Sequence, residues 1–299
     1  MCLSTIPAVA WIREALTVTL HEHDAPRAGW DSPVALQPGN ALGAVSGFVR
    51  KTLVIAELEA RKLRHDPTEL FTRAVQPALW LLVFGQVFER TRAIPTGDVR
   101  YIDFMAPGIL AQSVLFIAIF SGITVIWERD LGIVHKFLVS PTPRTALVLG
   151  KALSAGVRAL TQAVIIYLLA LLIGVRLHWH PLALLGVLVA IVLGAAAFST
   201  FSLIIACLVK TRERFMGIGQ LLTMPLFFAS NAIYPISIMP DWLKVLATIN
   251  PLSYEVDVLR TLMLGQPVTA SLALDFVVLL AVAILLVLIG ARLYPRVVV

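Results

Sequence analysis

Long apolar runs, separated by short clusters of charge, dominate the chain from about residue 70 onward. A helix needs roughly 20 residues to cross the ~30 Å hydrocarbon layer of a bilayer. Runs of that size lie near 70–88, 105–127, 147–174, 181–209, 214–235 and 269–292, which predicts six spans. Lipid cannot hydrogen-bond a backbone, so each is read as a helix that satisfies its own amides and carbonyls. The first run is the least apolar, with Arg73, Gln76 and Pro77 near its start. The fourth holds no charged residue from Pro181 to Val209. Pro225 lies inside the fifth, where its missing donor is expected to kink the helix.

Before the first run the pattern changes twice. From Gly47 to His65, Phe48, Leu53, Ile55, Leu58 and Leu63 alternate with Arg50, Lys51, Glu57, Glu59, Arg61, Lys62 and Arg64 at near-helical spacing. That spacing describes a helix over 47–65 lying in the headgroup region, with an ordinary soluble amphipathic helix as the alternative. Residues 1–46 mix Gly, Pro, His and charge without a sustained period and are read as a flexible cytoplasmic tail. Trp11 to Leu20 is too polar and too short for the apolar core of a signal peptide.

Two connections have a pattern of their own. In Trp127–Arg144, Leu131, Val134, Phe137 and Leu138 can share a helical face while Glu128, Arg129, Asp130 and Lys136 stay wettable. Pro141 and Pro143 would end such a helix. The pattern suits a lever seated in a groove on a soluble partner, and equally an ordinary interfacial loop helix. In the stretch 230–265, Pro240 and Pro251 suit the first turn of a helix, where no donor is needed. Two short helices follow, about 240–249 and 251–264, the first with Trp242, Leu243, Leu246 and Ile249 on one face. Neither is long enough to cross, so both are expected as re-entrant elements of the outer leaflet.

Composition agrees with lipid as solvent: of 299 residues, 59% are hydrophobic and only 14% charged. Soluble domains are nearer half apolar and a quarter charged. The mean hydropathy is +0.88. A net charge of +6 would be compatible with nucleic acid. No basic run interleaved with aromatics accompanies it, and basic excess in such a chain marks cytoplasmic flanks. Arg129, Lys136 and Arg144, then Lys210, Arg212 and Arg214, then Arg292 and Arg296 place those connections and both termini in the cytoplasm. Arg90, Arg92 and Arg100 blunt the contrast from the other side, accompanied by Glu89, Asp98 and Asp103.

Chemistry-bearing motifs are sparse. No Gly-x-x-x-x-Gly-Lys-[Ser/Thr] phosphate loop occurs, Gly150-Lys151 being followed by Ala152. No His-Glu-x-x-His, Gly-x-Ser-x-Gly or Cys-x-x-Cys occurs either. Cys2 and Cys207 offer neither metal-ligand spacing nor a disulfide. Asp275 is the acidic candidate within a span, and is expected near the outer end of the last one, within reach of water. These absences weigh against an intramembrane enzyme and a proton-coupled carrier, and favour a subunit driven by something else.

Certain residues go further. Glu128-Arg129 with Gly132, then Leu138-Val-Ser-Pro141 and Leu149-Gly-Lys151, are followed by Tyr234-Pro235, Met239-Pro-Asp-Trp242, Asn250-Pro251, and Asp257 with Arg260 leading to Gly265. In that order and spacing, the region from about 50 to 295 resembles a permease of the ABC-2 family of ATP-binding-cassette exporters. The likeness is to the drug-resistance branch typified by daunorubicin exporters, with nodulation lipo-oligosaccharide exporters as relatives. The segment Ile133-Val-His135-Lys136 departs from the acidic or Thr-Leu-Glu type frequent there.

The resemblance implies an all-α transmembrane domain over 47–299 that exports a hydrophobic or amphipathic drug, antibiotic or lipid-like molecule. A glycolipid, lipo-oligosaccharide or polysaccharide cargo is the alternative, and a secondary transporter the rival from another class. It implies a bacterial cytoplasmic membrane, two cytosolic ATPase subunits that carry ATP and Mg, and a second permease, identical or homologous. The chain itself would bind no cofactor, metal or nucleic acid. Glu128, Arg129, Asp130, Gly132, His135, Lys136 and Pro141 would form the coupling helix. Phe84, Phe88, Phe116, Phe120, Phe227, Phe228 and Asn231 would line the substrate route at the permease interface. Pro235, Pro240, Trp242, Asn250, Pro251, Asp257 and Arg260 would build the outer re-entrant motif.

Overall fold

Helices occupy nearly all of the apolar runs in the computed structural model, which describes residues 72, 75–92, 94–97, 99–134, 144–209, 211–265 and 271–294. Residues 1–46, the expected interfacial helix 47–65, and His135, Lys136 and Pro141 lie outside the described residues. In chain order there is a π-helical turn, Trp80–Gly85, continuing into α1, Gln86–Thr91. Then come α2, Tyr101–Ser121, and α3, Ile123–Asp130. The helices α4, Arg144–Ile173, α5, Pro181–Leu208, and α6, Arg212–Phe228, follow. A 3₁₀ turn, Ile236–Ile238, precedes α7, Asp241–Ile249, α8, Pro251–Leu264, and α9, Leu272–Leu293.

Among the described residues, four helices are long and apolar enough to cross a membrane: Tyr101–Asp130 (α2 with α3), α4, α5 and α9. These are the second, third, fourth and sixth runs of the sequence. The fifth run departs from its expected bounds. Its helix stops at Phe228 instead of 235, and 17 residues at 1.5 Å each give only about 26 Å. Residues 229–235 turn in against α2, where the Tyr101 hydroxyl donates to the Ile233 carbonyl at 3.2 Å and Arg260 Nη2 donates to the Asn231 carbonyl at 2.8 Å. Side chains thus take carbonyls that a continued helix would have used itself. The second run also begins earlier than expected, at Tyr101. Arg100 and Asp103 close its first turn by a two-point contact of 2.9 and 2.8 Å, and Asp103 accepts the Arg176 amide at 3.1 Å. That carboxylate hydrogen bond holds the Arg100 guanidinium above its ordinary pKa.

The helix α2 is the most enclosed, with 72% of its most apolar window buried, against 22% for α9. The core forms where α5 packs on α2, α4, α8 and α9. Small residues permit the approach, as in Gly194 to Ala197 on α5. A Cβ on Gly194 would overlap the carboxyl group of Glu255 from α8. Exposed side chains such as Leu172, Leu182, Val277 and Leu285 are the opposite face, turned outward as a lipid-facing surface requires.

The two short helices α7 and α8 have the expected bounds within a residue, and their caps say why. Asn250 Oδ1 accepts the Leu252 amide at 3.0 Å, with Pro251 at the first helical position. Asn250 Nδ2 donates to the Leu226 and Ala229 carbonyls at 2.6 and 3.3 Å, tying α8 to the end of α6. Asp275 differs from expectation. It is 4% exposed in the first turn of α9, because α8 packs over that end and closes it from water.

Candidate functional site

Three places gather polar side chains. The first is the end of the bundle where α3 stops and α4 and α6 begin. Arg212 grips Asp130 Oδ2 through Nε and Nη2 at 3.0 and 2.8 Å. Arg129 donates to Asp130 Oδ1 at 3.4 and 3.2 Å, and to the Val209 carbonyl at 3.3 Å. Two arginines thus converge on one carboxylate and join α3 to the α5–α6 connection. Glu128 accepts from Lys151, joining α3 to α4. Beside these pairs Trp127 and Leu131 are 50% and 72% exposed, the tryptophan beneath the Arg212 guanidinium at 5.5 Å. Gly132 then takes φ +70, so the chain turns where a side-chain-bearing residue would be strained, although a side chain there would meet open space.

The second place is a cavity of about 350 Å³ between the start of the first segment, α2 and α4. Gln76, Gln112, Ser113 and Gln162 line it together with Phe116 and Phe120, whose ring centroids are 6.1 Å apart. Gln112 is 3% exposed and its Oε1 accepts no hydrogen bond. The volume lies at the small end of the range that takes drug-sized molecules, and the lining mixes two phenylalanines with amides, hydroxyls and the aliphatic Pro77 and Ile117.

The third lies at the α7–α8 end. Arg260, 2% exposed, stands 3.7 Å over the Phe104 ring and donates to the Phe104 and Asn231 carbonyls at 3.3 and 2.8 Å. It faces Asp257 at 3.7 Å, and Asp257 accepts the Asn231 amide at 2.6 Å. The charge pair is therefore buried within a closed set of partners, the condition under which buried ions persist.

The family profile for the ABC-2 type transporter matches residues 50–264. The chain belongs to the ABC-2 type transporter family. The transport permease ycf38 of Cyanophora paradoxa is 27% identical over 217 residues, covering 72% of this chain and 74% of its own. The daunorubicin resistance ABC transporter permease protein DrrB1 of Streptomyces coeruleorubidus is 25% identical over 239 residues, 78% of this chain and 84% of its own. Nodulation protein J of Rhizobium leguminosarum bv. viciae is 28% identical over 172 residues, 57% and 65% of the two chains. This ABC-2 permease is a membrane transport subunit of a family that works with ATP-binding subunits.

Within that family frame the expected residues fall into groups. Glu128, Arg129, Asp130 and Gly132 lie together at the α3 end, with the charges already engaged inside the chain. Asn231, expected on the substrate route, joins Asp257 and Arg260 in the buried network at the α7–α8 end. Phe84, Phe88, Phe227 and Phe228 belong to one series of touching rings completed by Trp80, Tyr101 and Phe104. Tyr101, Phe104 and Phe227 are buried and Trp80 and Phe88 half-buried, while Phe84 and Phe228 are exposed, at 44% and 43%. Phe116 and Phe120 stand apart from it at the cavity. Trp242 is 67% exposed on α7, while Pro235, Pro240, Asn250 and Pro251 frame α7 and α8. Gln112, Gln162, Arg158 and Glu255 went unread in the sequence. Their signal is that of a polar residue inside an apolar run.

Proposed function

We propose that this chain is the membrane half of an ATP-driven exporter for a hydrophobic or amphipathic molecule, worked by a separate ATPase through the α3 end. The observation that carries the reading is the α3 end itself. A short helix, set off from α2 at Gly122, presents exposed Trp127 and Leu131 beside a charge cluster that fixes its position on α4 and α6. An apolar knob on a braced base suits seating in a groove of a soluble partner, because a push there is transmitted to three helices at once. In this reading the stretch Glu128–Pro141, including His135 and Lys136, is the coupling element, and the α3 end and both termini face the cytoplasm. ATP and Mg bind the partner ATPase, present in two copies beneath two permeases, alike or homologous. The first segment and α6 complete six crossings, with α7 and α8 dipping into the outer leaflet.

The cavity between the first segment, α2 and α4 supports an amphipathic cargo, since rings and neutral amides share its wall. The resistance permease among the relatives supports a drug-like one. Reconstitution of the chain with its ATPase in liposomes tests both statements. ATP-dependent, outward movement of an amphipathic drug, with hydrolysis stimulated by it, is the expected result. Pumping by the chain alone without ATP would overturn the coupling, and stimulation by glycolipid but not by drug would overturn the cargo.

A further inference from the structure

The cavity of about 350 Å³ between the first segment, α2 and α4 is graded from floor to mouth. Gln112, Ser113 and Gln162 are buried, Phe116 and Phe120 half-buried, and Thr72 and Gln76 exposed. Gln112, Phe116 and Phe120 follow one another at four-residue steps on α2, and so share one face of the helix. At 1.5 Å per residue, the amide and the farther ring are about 12 Å apart along the axis. The buried floor is polar and the half-buried wall beside it aromatic, which fixes how an amphipathic molecule lies in it.

Gln112 is the telling residue. It lies about 17 Å along α2 from Tyr101, well inside a helix long enough to cross a membrane. Lipid offers no hydrogen bond at such a depth. Gln112 is 3% exposed, and its Oε1 accepts no hydrogen bond from the protein. A buried acceptor left unmet is costly, and a ligand that brings a donor removes the cost. Ser113 beside it behaves otherwise, its Oγ donating to the Ile109 carbonyl of its own helix at 2.9 Å. A primary amide carries an acceptor oxygen and two donor hydrogens in one plane. Its natural complement is another amide, joined by two parallel hydrogen bonds. None of the described lining residues is ionisable. An entering carboxylate or ammonium would therefore give up its hydration with no counter-charge from them, whereas a neutral amide gives up less and regains two hydrogen bonds.

We propose that this cavity selects its ligand by an uncharged primary carboxamide or lactam paired with the Gln112 amide, the ligand's apolar body lying along Phe116 and Phe120. Gln112 determines specificity, and the two phenylalanines add affinity without choosing the head group. Calling the ligand the cargo rests on the exporter reading; the selectivity itself does not.

Four probes on one skeleton test it: 4-(1-naphthyl)butanamide, the corresponding acid and amine, and 1-butylnaphthalene. Binding to the full chain in lipid nanodiscs, with its ATPase if the pair co-purifies, is followed without ATP by naphthyl fluorescence anisotropy. Empty discs supply the partitioning background. At pH 7 the amide is expected to bind about tenfold tighter than the other three. Gln112→Leu, which keeps the bulk of the side chain, should remove that advantage, leave butylnaphthalene binding unchanged and not lower the melting temperature, because the fold loses no hydrogen bond. Phe116→Leu should weaken all four probes alike. A merely structural Gln112 would move all four probes and the melting temperature together, and that result overturns the proposal. So does an acid or amine that binds wild type as tightly as the amide, a comparison that stands if a variant fails to fold. Addition of ATP separates the two readings. Amide selectivity without ATP-driven movement of the amide supports the recognition and removes the cargo reading, while ATP-driven movement of all four probes at equal rates keeps the exporter and overturns the selection.

Discussion

Glu255 shows how much a single position can constrain. It is fully enclosed, neither carboxyl oxygen accepts a hydrogen bond, and it fits only because residue 194 on α5 has no side chain. Gly194→Ala should lower the melting temperature in detergent, since forcing even one methyl into a filled contact costs ~1–3 kcal/mol. Pairing it with Glu255→Ala should return part of that loss, a non-additive outcome that separate, unlinked effects would not give. Arg260 makes the opposite case, a buried charge with every partner present. Arg260→Ala would strand Asp257 in the interior at a cost of ~3–5 kcal/mol. Arg260→Lys should rescue little, because an ammonium cannot reproduce the planar stack on Phe104 together with donations to two carbonyls. Thermal melting of the three proteins, ranked wild type above Lys above Ala, checks this; a Lys variant equal to wild type would refute it.

Among the elements, those punctuated by local chemistry were readable in advance. Pro240, Asn250-Pro251 and Gly265 mark α7 and α8, because a missing donor, a capping amide and a left-handed glycine each act within a few residues of their own position. The end of α6 was not readable. Its continuation is cancelled by Tyr101 and Arg260, and the tyrosine stands 132 residues from the carbonyl it binds. No periodicity contains that information. The α3 end was half legible. Glu128, Arg129 and Gly132 stood out as a group, while the use of Glu128 by Lys151 depends on how α3 folds back on α4. Gly132→Pro should uncouple ATP hydrolysis from export and leave membrane insertion intact, since proline cannot adopt φ +70. Glu128→Ala should do likewise, and Glu128→Lys with Lys151→Glu should recover some transport. Normal transport in the Pro and Ala variants would remove the coupling assignment.

At the scale of the whole molecule, the apolar surplus foretold the class of protein, and burial now ranks its parts. The helix α2 is the enclosed axis and α9 the outer wall. Membrane sidedness is checked directly by labelling. A maleimide that cannot cross the bilayer should label Trp242→Cys from outside intact cells and Leu131→Cys only after permeabilisation; both positions are exposed, at 67% and 72%. Labelling of the two from one side would break the orientation. The polar ties at the α7–α8 end have a mechanical corollary. Asn250 clasps the last carbonyls of α6, and Arg260 clasps α2 and the bent return that follows α6, all with buried donors. Sliding of these helices past one another would strip several of those donors at once. The far end can therefore tilt only as a crown, so a stroke delivered at the opposite end would widen or narrow the gap to a neighbouring crown without remaking either one.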